Sequence, residues 1–208
     1  MKKKHQLNLK LLQNLKESII IGVDEAGRGC LAGPVYAGAV ILQSENQLEK
    51  IRDSKKMSEN QREEVLSYIL AQHRVGIGFA TVEEITRFNI LNAALLAMKR
   101  AFENLKLSDD ELMDCHVLVD GNQKIRNFNW PQTPIIKGDQ KVKAISAASI
   151  VAKVMRDREL RKLHEEYPEY GYAEHKGYAT ELHRAAIKEF GPTVHHRPTF
   201  AGVKEFIK

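Results

Sequence analysis

IIIGVDEAGRGCLAGPVYAGAVIL, residues Ile19 to Leu42, decides how this chain is read. Ile19-Ile20-Ile21-Gly22-Val23 is a short, bounded apolar run rich in β-branched residues, the mark of a buried strand. Asp24 and Glu25 stand at its end, and Gly27-Arg28-Gly29 then turns the chain with a cation at its centre. After Gly33-Pro34 a second apolar run, Val35 to Leu42, returns, and the short connection predicts an antiparallel pair. Acids at the end of a core strand are costly unless something pairs with them. A divalent cation is the partner that suits them best.

Working outward, a polar loop from Gln43 to Lys56 carries Asp53-Ser54-Lys55-Lys56. Ser58-Glu59-Asn60-Gln61 is a capping box opening a helix to about Gln72. Arg74 to Ala80 alternates as a strand does. Thr81-Val82-Glu83-Glu84 is a second capping box, and its helix runs through Ile85, Leu91, Leu95, Met98 and Phe102. Ser108 to Asp114 reads as an acidic surface loop. His116-Val117-Leu118-Val119 is a short buried strand that again ends in an acid, Asp120, before Gly121-Asn122. Ile135-Ile136 is a further short strand, followed by Lys137-Gly138-Asp139. A long helix is expected from Ala144 to about Glu166, with Ile145, Ala148, Val151 and Met155 on its apolar face and Pro168 as its stop. A loop from Glu169 leads to a last helix, Thr180 to Phe190, closed by Gly191-Pro192. The tail beyond His195 has no clear period. This order predicts an α/β protein around one mixed sheet.

The 208 residues divide as a leader over 1–17, a catalytic body over 18–166 and a helical C-terminal extension over 167–208. Leu7, Leu11, Leu12 and Leu15 give the leader the spacing of a short amphipathic helix. It has no continuous apolar core, so a signal peptide is not expected. No stretch approaches the roughly 18 apolar residues of a membrane span. Cys30 and Cys115 form no paired motif, which favours a reduced, cytoplasmic setting. The net charge of +5 is compatible with a nucleic-acid partner and does not establish one.

Asp24-Glu25, Asp120 and Asp139 all sit at predicted strand ends. Adjacent strand ends in one sheet lie about 5 Å apart, so these acids can converge. Four carboxylates in one pocket repel and need a counter-charge. Hard oxygen ligands suit Mg²⁺ or Mn²⁺, not zinc, and two such ions about 4 Å apart clamp an in-line displacement at phosphorus. The plain alternative is that each acid caps a turn.

VDEAGRG, DSKK, LVDGN, KGD, SAASIVAKVMRDRE and HKGY occur here in that order. Together they resemble type 2 ribonuclease H, in its bacterial form, ribonuclease HII, over Ile20 to Pro198. Cys30 departs from the family's usual proline, with an expected effect on turn rigidity and none on chemistry. The resemblance implies an RNase H-like fold: a mixed five-stranded central sheet flanked by helices, with a helical C-terminal extension. It implies a site of four carboxylates and two metal ions, one activating water and one stabilising the leaving 3′ oxygen. Asp24 and Glu25 match the first pair, Asp120 the strand acid and Asp139 the fourth. Asp157 is the rival for that fourth place, but it lies inside a helix between arginines, where an ion pair with Arg156, Arg158 or Arg161 is its ordinary role.

Other residues have a plain reading beside a functional one. Gly27, Arg28 and Gly29 form a turn that also lets backbone approach a sugar closely, with Arg28 near a phosphate. Lys55 and Lys56 are a solvated pair that can also hold the scissile strand. Tyr178 is a half-buried loop aromatic that the family pattern makes a sugar-stacking residue. Ser146 and Ser149 indicate close helix packing, and Lys153 is equally structural or functional. His195-His196-Arg197 point apart on any regular backbone, so a tail role or nucleic-acid contact is expected rather than a metal site.

The resemblance implies cleavage of RNA in RNA–DNA hybrids and 5′ of single ribonucleotides in duplex DNA, leaving 5′-phosphate and 3′-hydroxyl ends. It implies a role in starting ribonucleotide removal, a monomeric state and a replication clamp as a candidate partner. Three rivals stand beside it: a hybrid nuclease without single-ribonucleotide activity, a non-catalytic hybrid-binding module, and a Rossmann nucleotide binder. Against the last, the turn after the first strand of this chain lacks GxGxxG.

Overall fold

The computed structural model describes residues 18–44, 48–51 and 54–207. The helix expected over Leu7 to Leu15, and Asp53, lie outside the described residues. β1 (Ile19–Ala26) and β2 (Val35–Ile41) form the antiparallel pair that the opening stretch predicts. β1 runs past Val23 because β2 keeps pairing with it, Asp24 opposite Gly38 and Ala26 opposite Tyr36. The two acids are therefore inside the last residues of the strand.

α1 (Glu59–Gln72), β3 (Arg74–Ala80) and α2 (Val82–Glu103) follow, and both helices open on the expected reciprocal capping boxes at Ser58 and Thr81. β4 (Cys115–Asp120) and β5 (Gln132–Ile135) complete a mixed five-stranded sheet in the order β3-β2-β1-β4-β5. β4 lies parallel to both β1 and β5. After the turn at Gly138–Gln140 comes α4 (Lys143–Glu166). α5 (Tyr172–His175) and α6 (Glu181–Phe190) belong to the C-terminal extension. Among the described residues no helix is long and apolar enough to cross a membrane.

The pleat assigns the faces. Ile21, Val23, Val117 and Val119 pack with Ala97, Ala101 and Phe102 of α2. Their neighbours Gly22, Asp24, Leu118 and Asp120 consequently point the other way, toward α4. α4 approaches that face very closely. A Cβ placed on Gly22 would lie 2.1 Å from the main-chain carbon of Ala144, so Gly22→Ala would push the helix off the sheet. Ala144, Ala147, Ala148 and Ser149 are small enough for this approach. Ile150 and Val154 of α4 bury in one cluster with Leu66 and Ile69 of α1, and Val151 packs over Gly38 of β2. Each such side chain contributes about 1.5–3 kcal/mol relative to leaving it exposed.

Several boundaries differ from expectation. The acidic stretch after Ser108 is a short helix, α3 (Asp109–Met113), because Ser108 and Glu111 form a third capping box. The fifth strand ends at Ile135, since pairing with β4 runs only from Gln132 to Ile135, and Ile136 is exposed. α2 is broken at Asn89 (φ 66°, ψ 164°), whose side chain accepts from Asn92 N and so caps the second half. The loop from Glu169 contains a single turn at Pro168–Tyr170 and then α5. Tyr170, Tyr172, Ala186, Ile187 and Val203 pack on Leu160 and Leu163 of α4 and on Leu31 and Ala32, which seats the C-terminal extension beside the turn that follows β1.

Candidate active site

Parallel pairing of β1 with β4 reaches Val23 opposite Val119. One residue further on, Asp24 and Asp120 come side by side on the α4 face. Asp24 is almost fully buried and accepts from Glu25 N at 2.7 Å. The Ser149 hydroxyl of α4 faces its carboxylate and opposes the rise in its pKa, and Ser149 Oγ lies 3.1 Å from Ser54 Oγ of the Ser-Lys-Lys turn. Burial, followed by repulsion from Glu25 and Asp120, pushes the Asp24 carboxyl well above the usual carboxylate range. Burial also raises Glu25, against the opposing pull of Arg28, which pairs with it at 3.1 Å.

Asp139 joins through the backbone of its turn. Asp120 Oδ1 accepts from Gly138 N at 2.6 Å and from Asp139 N at 3.3 Å. The Asp139 side chain is buried and faces Lys55, whose Nζ donates to Oδ2 at 3.0 Å. Among the described residues no three acid, thiol or imidazole groups close around one point as metal ligands do. The donor set nevertheless fits a hard divalent cation: it consists of carboxylate oxygens, buried and mutually repelling, with Arg28 and Lys55 as the cations paired to it.

Gly27 needs to be glycine: its φ is +99°, and a Cβ would lie 2.0 Å from Arg156 Nε. Gly29 meets nothing within 4 Å, so nothing in the fold itself excludes a side chain there. Arg28 is half exposed beside Glu25. Lys56 lines a cavity of about 240 Å³ with Asp139, Lys141, Lys143 and Ser146. Tyr178 is 43% exposed, with Lys153 Nζ 5.6 Å and Arg156 Cζ 5.9 Å from its ring centre. Cys30 forms an isolated antiparallel bridge with Tyr178. The residue that departs from the family pattern thus touches the candidate sugar-stacking tyrosine, a contact that turn rigidity alone did not suggest.

Asp157 is buried on α4. Lys153 Nζ donates to it at 2.7 Å, and Arg62 lies at 4.0 Å. Its partners are these two cations rather than the flanking arginines. Arg156 instead donates to Lys176 O and Ala32 O, and Arg158 and Arg161 pair with Glu63.

The family model for ribonuclease HII matches residues 21–203. The chain belongs to the ribonuclease HII family. Ribonuclease HII of Cupriavidus metallidurans is 49% identical over 206 residues, covering 98% of this chain and 89% of that protein. The solved ribonuclease H2 of Pyrococcus horikoshii superposes with a TM-score of 0.72 at 27% identity, covering 90% of this chain and 96% of the other. A ribonuclease HII of Archaeoglobus fulgidus, solved in complex with PCNA, superposes at 0.70 with 27% identity, covering 86% and 92%. Membership makes this chain an endoribonuclease, a hydrolase of RNA–DNA substrates in a metal-dependent family. The non-catalytic and Rossmann alternatives fall with it.

Proposed function

We propose that the chain cleaves on the 5′ side of single ribonucleotides embedded in duplex DNA, as well as within continuous RNA–DNA hybrids. The observation that carries this reading is the Cys30–Tyr178 bridge. It sets an aromatic ring against the turn that begins two residues after Glu25, so a sugar-reading surface adjoins the acids.

Asp24, Glu25, Asp120 and Asp139 hold two divalent ions, Mg²⁺ or Mn²⁺. When bound, the ions supply Lewis-acid stabilisation and a nucleophilic water at neutral pH. The chain's own residues do the rest. The backbone of Glu25 orients Asp24, and the backbone of Gly138 and Asp139 orients Asp120. Gly27, Arg28 and Gly29 offer main-chain groups to the 2′-hydroxyl, the one chemical feature separating ribose from deoxyribose. Open space at Gly29 supports that approach. Tyr178 adds its hydroxyl and a ring face for the next sugar. Arg28, Lys55 and Lys56 engage phosphates. Products carry 5′-phosphate and 3′-hydroxyl ends, and the reaction starts ribonucleotide excision in the cytoplasm. The clamp complex of the Archaeoglobus relative supports a replication clamp as a partner of this monomer.

A panel of duplexes with one, four or many ribonucleotides tests the reading. Tyr178→Ala should reduce single-ribonucleotide cleavage more than hybrid cleavage, and Tyr178→Phe should fall between. Equal losses on both substrates would reduce Tyr178 to general positioning. Absence of single-ribonucleotide cleavage by the unaltered chain would favour a hybrid-only nuclease.

A further inference from the structure

Two loops carry the groups assigned to sugar reading, 27–33 and 176–180, and the C-terminal tail lies behind both. Gly33 N donates to His195 O and Arg197 N to Leu31 O, each at 2.8 Å. Leu31 N donates in turn to Gly177 O at 2.8 Å. The three segments are therefore stitched together, with loop 27–33 in the middle.

Successive side chains of the tail then diverge, one to each loop. Arg197 is fully buried. Its Nη2 donates to Gly27 O at 2.8 Å, Nη1 to Arg28 O at 3.0 Å and Nε to Gly33 O at 3.0 Å. Among the described residues no carboxylate pairs with it. A buried guanidinium without a carboxylate is expensive, and apolar filling of the same volume is commonly more stable. What this arrangement provides is a rigid fork of donors on the carbonyls of the turn.

His196 serves the other loop through a relay. Thr193 N can only donate, so His196 Nδ1 accepts it at 2.9 Å and the imidazole proton sits on Nε2. That proton faces His183 Nε2 at 3.1 Å, which leaves the His183 proton on Nδ1, 2.9 Å from Tyr178 O. His175 closes the loop beside it, accepting from Gly177 N at 3.1 Å and donating to Tyr170 O at 2.7 Å. Each of these hydrogen bonds fixes a tautomer, and all three rings are neutral.

We propose that His196 and Arg197 are positioning residues that hold the Gly27–Gly29 turn and Tyr178 in register with each other. In this arrangement one 2′-hydroxyl meets both loops at once. The inference rests on the sugar-reading role given above to those loops. It assigns a purpose to the His-Arg pair in the tail, which approaches the site only from behind.

The test uses Arg197→Lys, which keeps the charge and loses the fork, and His183→Gln, which withdraws the donor from Tyr178 O. His183→Asn retains a nitrogen donor at the position of Nδ1. Each variant is studied as the full chain at a temperature where its thermal melt shows it folded. Two quantities are read: the amide resonances of Gly27, Gly29, Gly177 and Tyr178, and the ratio of kcat/KM on a single-ribonucleotide duplex to that on a continuous hybrid. Arg197→Lys should move the Gly27 and Gly29 amides, and His183→Gln those of Gly177 and Tyr178. Both should lower the ratio by on the order of tenfold or more, the scale of sub-ångström to 1 Å misplacement. His183→Asn should restore amides and ratio toward the starting values. Unmoved amides with an unchanged ratio, or equal losses on both substrates that track melting temperature alone, would overturn the proposal. If Arg197→Lys does not fold, the His183 pair decides. If Tyr178→Ala itself leaves the ratio unchanged, the sugar-reading role fails, and the amide shifts by themselves then support or overturn positioning.

Discussion

The carboxylates at the ends of β1 and β4 and the histidines behind Tyr178 are both buried titratable clusters, built on opposite rules. Among the histidines, His183 and His196 meet donors with acceptors at both ring nitrogens. Asp24 has no comparable compensation: it is buried against Glu25 and Asp120, and the cations Arg28 and Lys55 pair with its neighbours Glu25 and Asp139 instead. A fold that only needed stability would use the first arrangement in both places, because unmet buried charge is the more costly. Leaving charge unmet is what a cation site requires.

The largest effects should come from removing that unmet charge. Asp24→Asn and Asp120→Asn should each lower cleavage by at least about 10²-fold, the scale of losing one electrostatic contact to a transition state. Hybrid binding should persist, since the basic surface is untouched. Asp24→Asn should also melt at the same temperature as the unaltered chain or higher, because burial disfavours the charge it removes. A destabilised Asp24→Asn protein would show that the acid is compensated after all, and the contrast between the clusters would collapse.

Acid should separate the clusters next. Burial lowers His183 to about 4 and His196 to about 3. Their neutral forms belong to the folded state, so the unfolded chain binds more protons between roughly pH 6.5 and pH 4. The stability they contribute is complete above about pH 6.5 and is lost as pH falls toward those values. The groups facing them are His175, His195, Arg184 and, through His175, Glu174 and His164. Asp24 and Glu25 run the other way: raised in the folded state, they are relieved as pH falls through their folded values. Melting temperature followed from pH 7.5 to 5 should therefore drop more steeply in Asp24→Asn than in the unaltered chain, and less steeply in His183→Gln. Parallel curves for all three would deny both contributions.

How much of this was legible in the sequence follows from the range of each interaction. The strand ending in Asp24-Glu25, its antiparallel partner, the capping boxes at Ser58 and Thr81 and the long helix after Asp139 are local patterns, and all appear where expected. Ser108-Asp109-Asp110-Glu111 carried the same capping signal, but its acidity read as a loop, so α3 was missed. Convergence of Asp24 with Asp120 was readable because parallel neighbouring strands leave little choice. Lys153, four residues before Asp157 on the same helix, is a local partner, but Arg62 arrives from α1, and position along the chain cannot say which turn of another helix faces Asp157. The roles of His196 and Arg197 were hidden for the same reason. The partners of Arg197 are main-chain atoms far away in sequence, which leave no mark on residue type, and His196 reaches Tyr178 only through the side chain of His183.

Asp157 offers a smaller effect that sharpens the boundary of the acid cluster. It is buried but compensated, by Lys153 at 2.7 Å and Arg62 at 4.0 Å. Asp157→Asn should lower stability by about 1–3 kcal/mol, below the usual cost of breaking a fully buried pair because both cations are partly exposed. Cleavage should stay unchanged while the protein is folded. Lost cleavage in a fully stable Asp157→Asn protein, with Asp139→Asn still active, would move the fourth ligand to Asp157.

The smallest effect tests where the acid cluster meets the substrate. Lys55 is largely exposed yet sits 3.0 Å from buried Asp139, so it belongs at once to the acids and to the surface. If it moves to a phosphate on binding, it releases one condensed counterion, and Lys55→Ala should reduce the slope of log affinity against log salt by about 0.7–0.9. The affinity itself should change little at moderate salt, because the phosphate contact replaces an ion pair that the free protein already makes. Lys56 lines the neighbouring cavity, and no competing ion pair with an acid is seen for it among the described residues. Lys56→Ala should therefore show a similar slope change with a larger loss of affinity. An unchanged slope for Lys55→Ala, with a reduced slope for Lys56→Ala, would make Lys55 purely the counter-charge of Asp139, and the phosphate surface would begin one residue later in the chain.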